Sequence, residues 1–269
     1  MNVTKATNNE KQAVLEFCKN TFSWGDYINE AWDSWIKEGN FLIIHENNQP
    51  VAICHASIYK EGKQVWIEGI RVNEKFRRRG YASKLVSESE KIGKQNDCEV
   101  AYMIIASTNQ KSLELARKLG YENFETWNFY SLELKKITSK PKIKFVNYEK
   151  KLPPVIFSSN FFYVNSWRWL PLDDIAKHSL AKSKQIIYSE NNNLIDNVAV
   201  ISESTYFGKT LLVTIISCSD KLQEIFSYIQ YFAHNNNYTR IQVLTKLNIS
   251  ISYEGLENKF IFNLMKKNL

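Results

Sequence analysis

Three arginines in a row, Arg77, Arg78 and Arg79, run directly into Gly80-Tyr81-Ala82. Guanidinium groups meet phosphate oxygens through a fixed fork of donors, and small residues at 80 and 82 let the main chain approach a ligand closely. If a helix begins at Gly80, its first N–H groups have no partners within the helix, and its dipole adds positive potential there. Arginines beside such a nest of amides make a site for a pyrophosphate. A second feature lies just upstream. Glu68 stands in the apolar run VWIEGIRV (65–72), where a carboxylate is costly to bury unless it is partnered. There it can accept the proton of an alkylammonium and so free a nucleophile, or it can form a salt bridge with Arg or Lys. Gly69, in mid-strand, marks either a bulge or the close approach of a bulky neighbour such as Trp66.

These residues need elements to position them. Apolar residues recur at helical spacing over 8–22, and 26–37 forms a second helical stretch with Asp26 as its cap and Gly39 as its stop. Strands follow at 41–45, 51–59 and 65–72, with turns between them. Alternation along the third strand puts Glu68, Ile70 and Trp66 on one face. A helix is predicted over 80–94, a buried strand over 100–106, a short helix over 111–119 ended by Gly120, and a strand over 126–134. The lysine-rich stretch 135–142 reads as a linker. Beyond it the pattern repeats. Residues 41–72 line up with 184–218, Gly62-Lys63 recurs 146 residues later as Gly208-Lys209, and Gly120-Tyr-Glu-Asn recurs 135 later as Gly255-Leu-Glu-Asn. The second copy is therefore 11 residues shorter, largely where the first has the arginine loop and the second has SDKLQE (219–224). The expectation is two tandem domains, 1–136 and 143–269, the second without a pyrophosphate loop.

With the strand–loop–helix context in place, Val72-x4-Arg77-x-x-Gly80-x-Ala82 resembles the Q/R-x-x-G-x-G/A motif of GNAT-type (GCN5-related) N-acetyltransferases. Asn109, Ser112, Leu115 and Leu119-Gly120-Tyr121 resemble that family's later N-x-x-A-x-x-L and G-F/Y residues. The resemblance covers about residues 1–135. It implies an α/β (α+β) fold of two GNAT-like domains, each a mixed, mostly antiparallel sheet flanked by helices, the C-terminal copy degenerate. It implies transfer of acetyl from acetyl-CoA, the co-substrate, to a primary amine: an amino acid, a small amine or a peptide N-terminus. The main chain of Ile70, Arg71 and Val72 would then hold pantetheine. Arg77, Arg78, Arg79, Gly80, Tyr81, Ala82 and Ser83 would hold the pyrophosphate, and Asn109 another part of acetyl-CoA. Glu68 would be the general base, with an N–H near Ile70 polarising the thioester carbonyl.

One position departs from the family. The tyrosine that protonates the leaving thiolate in many members aligns with Ala116, so the acid is unassigned, and a non-catalytic acyl-CoA-binding module stands as the second reading. Asp26-Tyr27, Ser34-Trp35 and 67–72 also resemble the histidine N-acetyltransferase branch. Asp26, Glu30 and Asp33 lie where the family closes over its acceptor and could attract an ammonium group; acids near a helix start also simply suit its dipole.

Composition narrows the classes further. The formal net charge is +7, but only seven of the 35 basic residues are arginine and three of these are the consecutive run. The lysines are spread, which disfavours a nucleic-acid partner. No apolar run approaches the roughly 20 residues of a membrane span, and the polar first twenty residues lack a leader's apolar core; a cytoplasmic protein is expected. The four cysteines form no CxxC and the four histidines have no ligand-like spacing, so neither disulfide nor metal is expected. Trp167-Arg168-Trp169 is either packing within the second domain or a stacking surface. A homodimer is a further candidate assembly.

Overall fold

The computed structural model describes residues 2–22, 25–137, 139–146, 161–191, 194–218 and 222–269. The chain divides into two compact units, 1–124 with 263–269, and 125–262. This corrects the expected boundaries of 1–136 and 143–269. Most of the strand expected to close the first domain belongs to the second unit, and the residues from Asn263 on belong to the first.

The first unit opens with β1 (Val3–Lys5), a strand too short to show any periodicity, then α1 (Lys11–Cys18) and α2 (Ile28–Glu38). The strands β2 (Phe41–Glu46), β3 (Gln49–Tyr59) and β4 (Gln64–Val72) form an antiparallel meander. They are followed by α3 (Tyr81–Gln95), β5 (Val100–Ala106), which runs parallel to β4, and α4 (Gln110–Lys118). On one face of this sheet Leu85 and Val86 of α3 and Leu113 and Ala116 of α4 pack on Cys54, Val65, Ile67 and Met103, with Met265 fully buried among them. A Cβ on Gly93 would lie 2.7 Å from Val65 and 3.0 Å from Leu269, so the bare backbone there lets helix and strand approach. The N–H of Leu269 donates to the Glu99 carbonyl at 2.9 Å. These contacts make the segment after Asn263 part of the first core. On the opposite face α2 buries Ile28, Ala31, Trp32 and Trp35, the residues of one helical stripe.

The second unit takes in most of β6 (Glu122–Leu132), then β7 (Lys144–Phe145) and the hairpin β8 (Phe162–Asn165) and β9 (Arg168–Pro171). Next come α5 (Asp174–Lys182), β10 (Ile186–Asn191), β11 (Leu194–Glu203), β12 (Thr210–Ser217), α6 (Gln223–Asn235), β13 (Arg240–Lys246) and most of β14 (Leu256–Asn268). Its sheet runs β6-β13-β12-β11-β10-β7 and is antiparallel except for β12 with β13. Ile225, Phe226 and Ile229 of α6 cover one face, and α5 with the hairpin covers the other. The order of elements in β10–β13 repeats that of β2–β5, as the sequence echo predicts. The expected short loop of the second copy falls partly on residues 219–221, outside the described residues. Trp169 is fully buried, Trp167 donates to Gln242 Oε1 at 3.1 Å, and Arg168 donates to the Tyr206 hydroxyl at 2.5 Å, so this tripeptide packs the second unit. Among the described residues, no helix is long and apolar enough to cross a membrane, and no cluster of three or more potential ligands could hold a metal ion.

Candidate active site

The site is organised by a defect in β4. From the Glu61-Gly62-Lys63 turn the β3–β4 ladder runs in register through His55↔Glu68, then slips: Ile53 pairs with Arg71, so three steps on β4 match two on β3. The extra residue lies at Gly69, whose φ of +64° is the left-handed value of a glycine bulge. The bulge inverts the alternation. Val65, Ile67, Ile70 and Val72 face the α3 core, whereas Glu68 and Arg71 turn to the α2 side, where their partners His55 and Asp26 lie. Glu68 and Ile70 therefore point to opposite faces, against the simple two-residue period. The neighbour that demands glycine is Trp35 rather than Trp66, because a Cβ on Gly69 would sit 2.2 Å from the Trp35 ring.

Before the bulge is reached, β4 leaves its parallel partner. The two strands pair only from Gln64↔Val100 to Trp66↔Tyr102, although each continues further. The main chain of 67–72 is thus not paired with β5; on it the Ile70 carbonyl accepts from the Arg71 guanidinium at 3.1 Å. Ile70, Arg71 and Val72, the residues expected to hold pantetheine, all lie in this stretch.

The Glu68 side chain, on the α2 side of β4, is 8% exposed. Its Oε1 is 2.9 Å from Nδ1 of the fully buried His55. The imidazole stacks on Trp35 at 4.9 Å and 8°, and its Nε2 lies 3.8 Å from Oε2 of Glu38. Burial, with the nearby Glu68 and Asp26 charges, pushes the Tyr27 phenol up to about 12 against the opposing pull of Arg71. Burial likewise raises the Cys54 thiol to about 12, so neither group is an anion near neutral pH.

Arg71 makes a two-pronged ion pair with Asp26, at 2.6 and 3.0 Å, and its guanidinium lies over the Phe22 and Tyr27 rings. Asp26 is consequently neither the cap of α2, a position held by Tyr27, nor an open charge for an ammonium group. It ties the segment before α2 to β4. Asp33 pairs with Lys11 at 3.3 Å, and Glu30 is exposed.

The arginine loop leads into α3 as expected. Arg78 and Gly80 both have positive φ, +63° and +82°, and the N-terminus of α3 has no side-chain cap, which leaves the amides up to Ser83 available to an anion. Arg79 pairs with Glu46 at 2.8 Å, and the Tyr81 hydroxyl donates to the same carboxylate. Arg77 donates to the Val72 carbonyl at 3.3 Å and lies 3.6 Å from Glu74. Arg78 is exposed on its left-handed residue. Ala82 and Ser83 form the first turn of α3. Asn109 caps α4, its Oδ1 accepting from the Ser112 N–H at 3.2 Å. Ala116, at the family's tyrosine position, is sealed in the core at 2% exposure. Tyr121 packs beneath Lys267 beside Glu90, towards the far end of α3 from the loop, and burial raises its phenol further.

Around the candidate site stand His55, Glu38 and Glu46, which motif reading overlooks, and Trp35, which it names only for a likeness to the histidine branch. One of them leaves a trace in the sequence: the hairpin pairs Tyr59 with Gln64, and counting outwards from that pair brings His55 opposite Glu68.

The comparisons with known proteins agree with this geometry. Residues 11–121 match the model of the acetyltransferase (GNAT) family. No curated protein matches the sequence. Among solved structures, the chain is similar to a GCN5-related N-acetyltransferase from Sphaerobacter thermophilus, with 10% identity and a TM-score of 0.64 over 99% of this chain and 95% of that one. It is also similar to a tandem GNAT protein from the clavulanic acid biosynthesis pathway, with 8% identity and a TM-score of 0.57 over 99% and 97%. Residues 11–121, within the N-terminal unit, are thus similar to the acetyltransferase (GNAT) family, and the chain has the fold of two GNAT-like domains in tandem.

Proposed function

We propose that the chain is an N-acetyltransferase that moves acetyl from acetyl-CoA directly to a primary amine, with Glu68 as general base. The observation that carries this reading is the juxtaposition at the bulge: a nearly buried carboxylate beside strand main chain that has lost its partner. Main-chain N–H groups on strand not paired with β5 suit pantetheine and the thioester carbonyl, and the uncapped start of α3 suits the pyrophosphate. Acetyl-CoA would contact the main chain of Ile70–Val72 and the loop from Arg77 to Ser83, with the Asn109 amide N–H groups left for another part of it.

The acceptor reaches the site as an ammonium ion. Glu68 takes one proton, breaking an N–H bond, and the freed lone pair attacks the thioester carbon. Collapse of the tetrahedral adduct breaks the C–S bond and leaves an amide. The surplus proton on the new amide nitrogen neutralises the departing thiolate, directly or through solvent, and Glu68 returns its proton to solvent. No side chain is assigned as acid, in keeping with Ala116. An amino acid, a small amine or a peptide N-terminus fits this chemistry, and a cytoplasmic setting suits the four free cysteines.

The test is thiol release from acetyl-CoA across amino acids, polyamines, aminosugars and peptide N-termini. Glu68→Gln should lower kcat by about 10²–10⁴ with acetyl-CoA affinity retained. Full activity in that variant removes Glu68 as base. Tight acetyl-CoA binding with no turnover on any amine favours the acyl-CoA-binding module, the reading that Ala116 supports.

A further inference from the structure

His55 is fully buried, touches Glu68 and has no part in the reaction above. Three observations bear on it. As the Nδ1–H tautomer, the ring donates to Glu68 Oε1 at 2.9 Å. It is held flat against Trp35 at 8°, with the Phe41 ring edge-on at 6.3 Å, so it has no room to turn. Its other nitrogen, Nε2, has no hydrogen-bond partner among the described residues. An orphaned buried nitrogen is destabilising, and packing alone would be served better by an apolar side chain of similar size.

The orphan is aimed at something. Glu38 Oε2 lies 3.8 Å away, too far for a hydrogen bond but close enough to attract a proton on Nε2. That carboxylate is steadied by the hydroxyls of Ser34 and Ser57, each at 3.1 Å, and its side chain is 33% exposed. The ring thus lies between two carboxylates, one nearly buried at the site and one in touch with solvent. Of the elements packed against the ring, β4 presents Glu68 and α2 presents Glu38, whereas β2 presents Phe41 and no charge among the described residues. Arg71 and Tyr27 lie one step further out, on the far side of Glu68.

We propose that His55 is a positioning residue for the acetyl transfer: its Nδ1–H fixes the rotamer of Glu68, and the charge on its ring sets how strongly that carboxylate takes up the acceptor's proton. With one proton the ring is a neutral donor that aligns the base. A second proton, on Nε2 and drawn by Glu38, places a cation 2.9 Å from Glu68 and weakens it as a base. The acid side of the rate profile then reports the imidazole as well as the carboxylate. This inference rests on Glu68 being the base, and the experiment separates the two.

The experiment compares kcat/KM against pH for wild type, His55→Asn and His55→Leu, with acetyl-CoA affinity and thermal unfolding measured on each. Asparagine keeps a donor near the place of Nδ1 and loses the titrating ring; leucine loses both. The expected result for His55→Asn is a plateau rate within about threefold of wild type and an acid limb moved to lower pH. For His55→Leu, kcat should fall on the order of 10- to 100-fold with acetyl-CoA affinity unchanged. An unmoved acid limb in the asparagine variant, or a wild-type rate in a folded leucine variant, overturns the proposal.

A second readout needs no turnover. The nitrogen-15 titration of the His55 ring, followed by NMR, should move to lower pH in Glu68→Gln and by a smaller step in Glu38→Gln. Identical titration in wild type and Glu68→Gln overturns the coupling. If coupling is present but Glu68→Gln is fully active, the base assignment fails instead.

Discussion

The two units carry the same pair of parallel strands in two states. In the first, β4 and β5 pair over three residues and part after Trp66, ahead of the glycine bulge at Gly69. In the second, β12 and β13 stay paired over six, from Thr210↔Arg240 to Ile215↔Thr245. The second unit has a bulge too: Val198 pairs with Ser217 and Ala199 with Ile215, which places the extra residue at Ile216, 146 positions after Ile70. A bulge alone therefore does not open the sheet. What differs is what lies against it. At the position equivalent to Glu68 stands Thr214, fully buried, whose hydroxyl accepts the Val164 N–H of the β8–β9 hairpin at 2.9 Å. Ser202 binds the carbonyl of the same Val164 at 2.6 Å. At this position the second unit thus binds its own hairpin, whereas Glu68 of the first meets the His55 ring at 2.9 Å. The first unit alone of the two sets a left-handed glycine against a tryptophan ring at this bulge.

Breaking the glycine should have the largest effect. Gly69→Ala puts a methyl 2.2 Å from the Trp35 ring and forces a side chain into positive φ, so a loss of about 3 kcal/mol or more is expected. It would be read as a drop in the thermal midpoint with loss of acetyl-CoA binding; an unchanged midpoint would show that the ring moves aside freely. Next, Arg78→Ala combined with Arg79→Ala should weaken acetyl-CoA binding about tenfold, near 1.4 kcal/mol, by removing two cations beside the uncapped amides. Hydrogen exchange should show acetyl-CoA protecting 67–72 and 78–83 and leaving 210–217 as it was. Protection spread equally over both units would erase the contrast. The smallest effect is expected for Thr214→Ala, which leaves the Val164 N–H without its acceptor and should cost about 1 kcal/mol in a denaturant midpoint. Acetyl-CoA affinity should not change.

Much of this was legible in the chain. The arginine loop, the glycine stop of α2 and the repeat are local features, and the structure has them where the spacing puts them. The inverted face of Ile70 was not, because a two-residue period assumes an unbroken strand and Gly69 breaks it. His55 was missed for a different reason. Its neighbours in sequence are apolar, and its role comes from a strand thirteen residues away and a helix end seventeen residues back. The pairing of Asp26 with Arg71, 45 residues apart, hid in the same way behind a plausible helix cap. Residues 263–269 show the limit most clearly, since nothing in their own pattern says which core they join.

Those residues have a consequence for the history of the molecule. Met265 and Leu269 belong to the first core, yet the whole of the second unit, 125–262, is synthesised before them. On the ribosome the second unit can be complete while the first still lacks a strand. Closing that gap means joining segments separated by 138 residues. The entropy of so long a loop adds only slowly to the cost, but contacts this distant in sequence form late. The half of the protein made first is the half finished last.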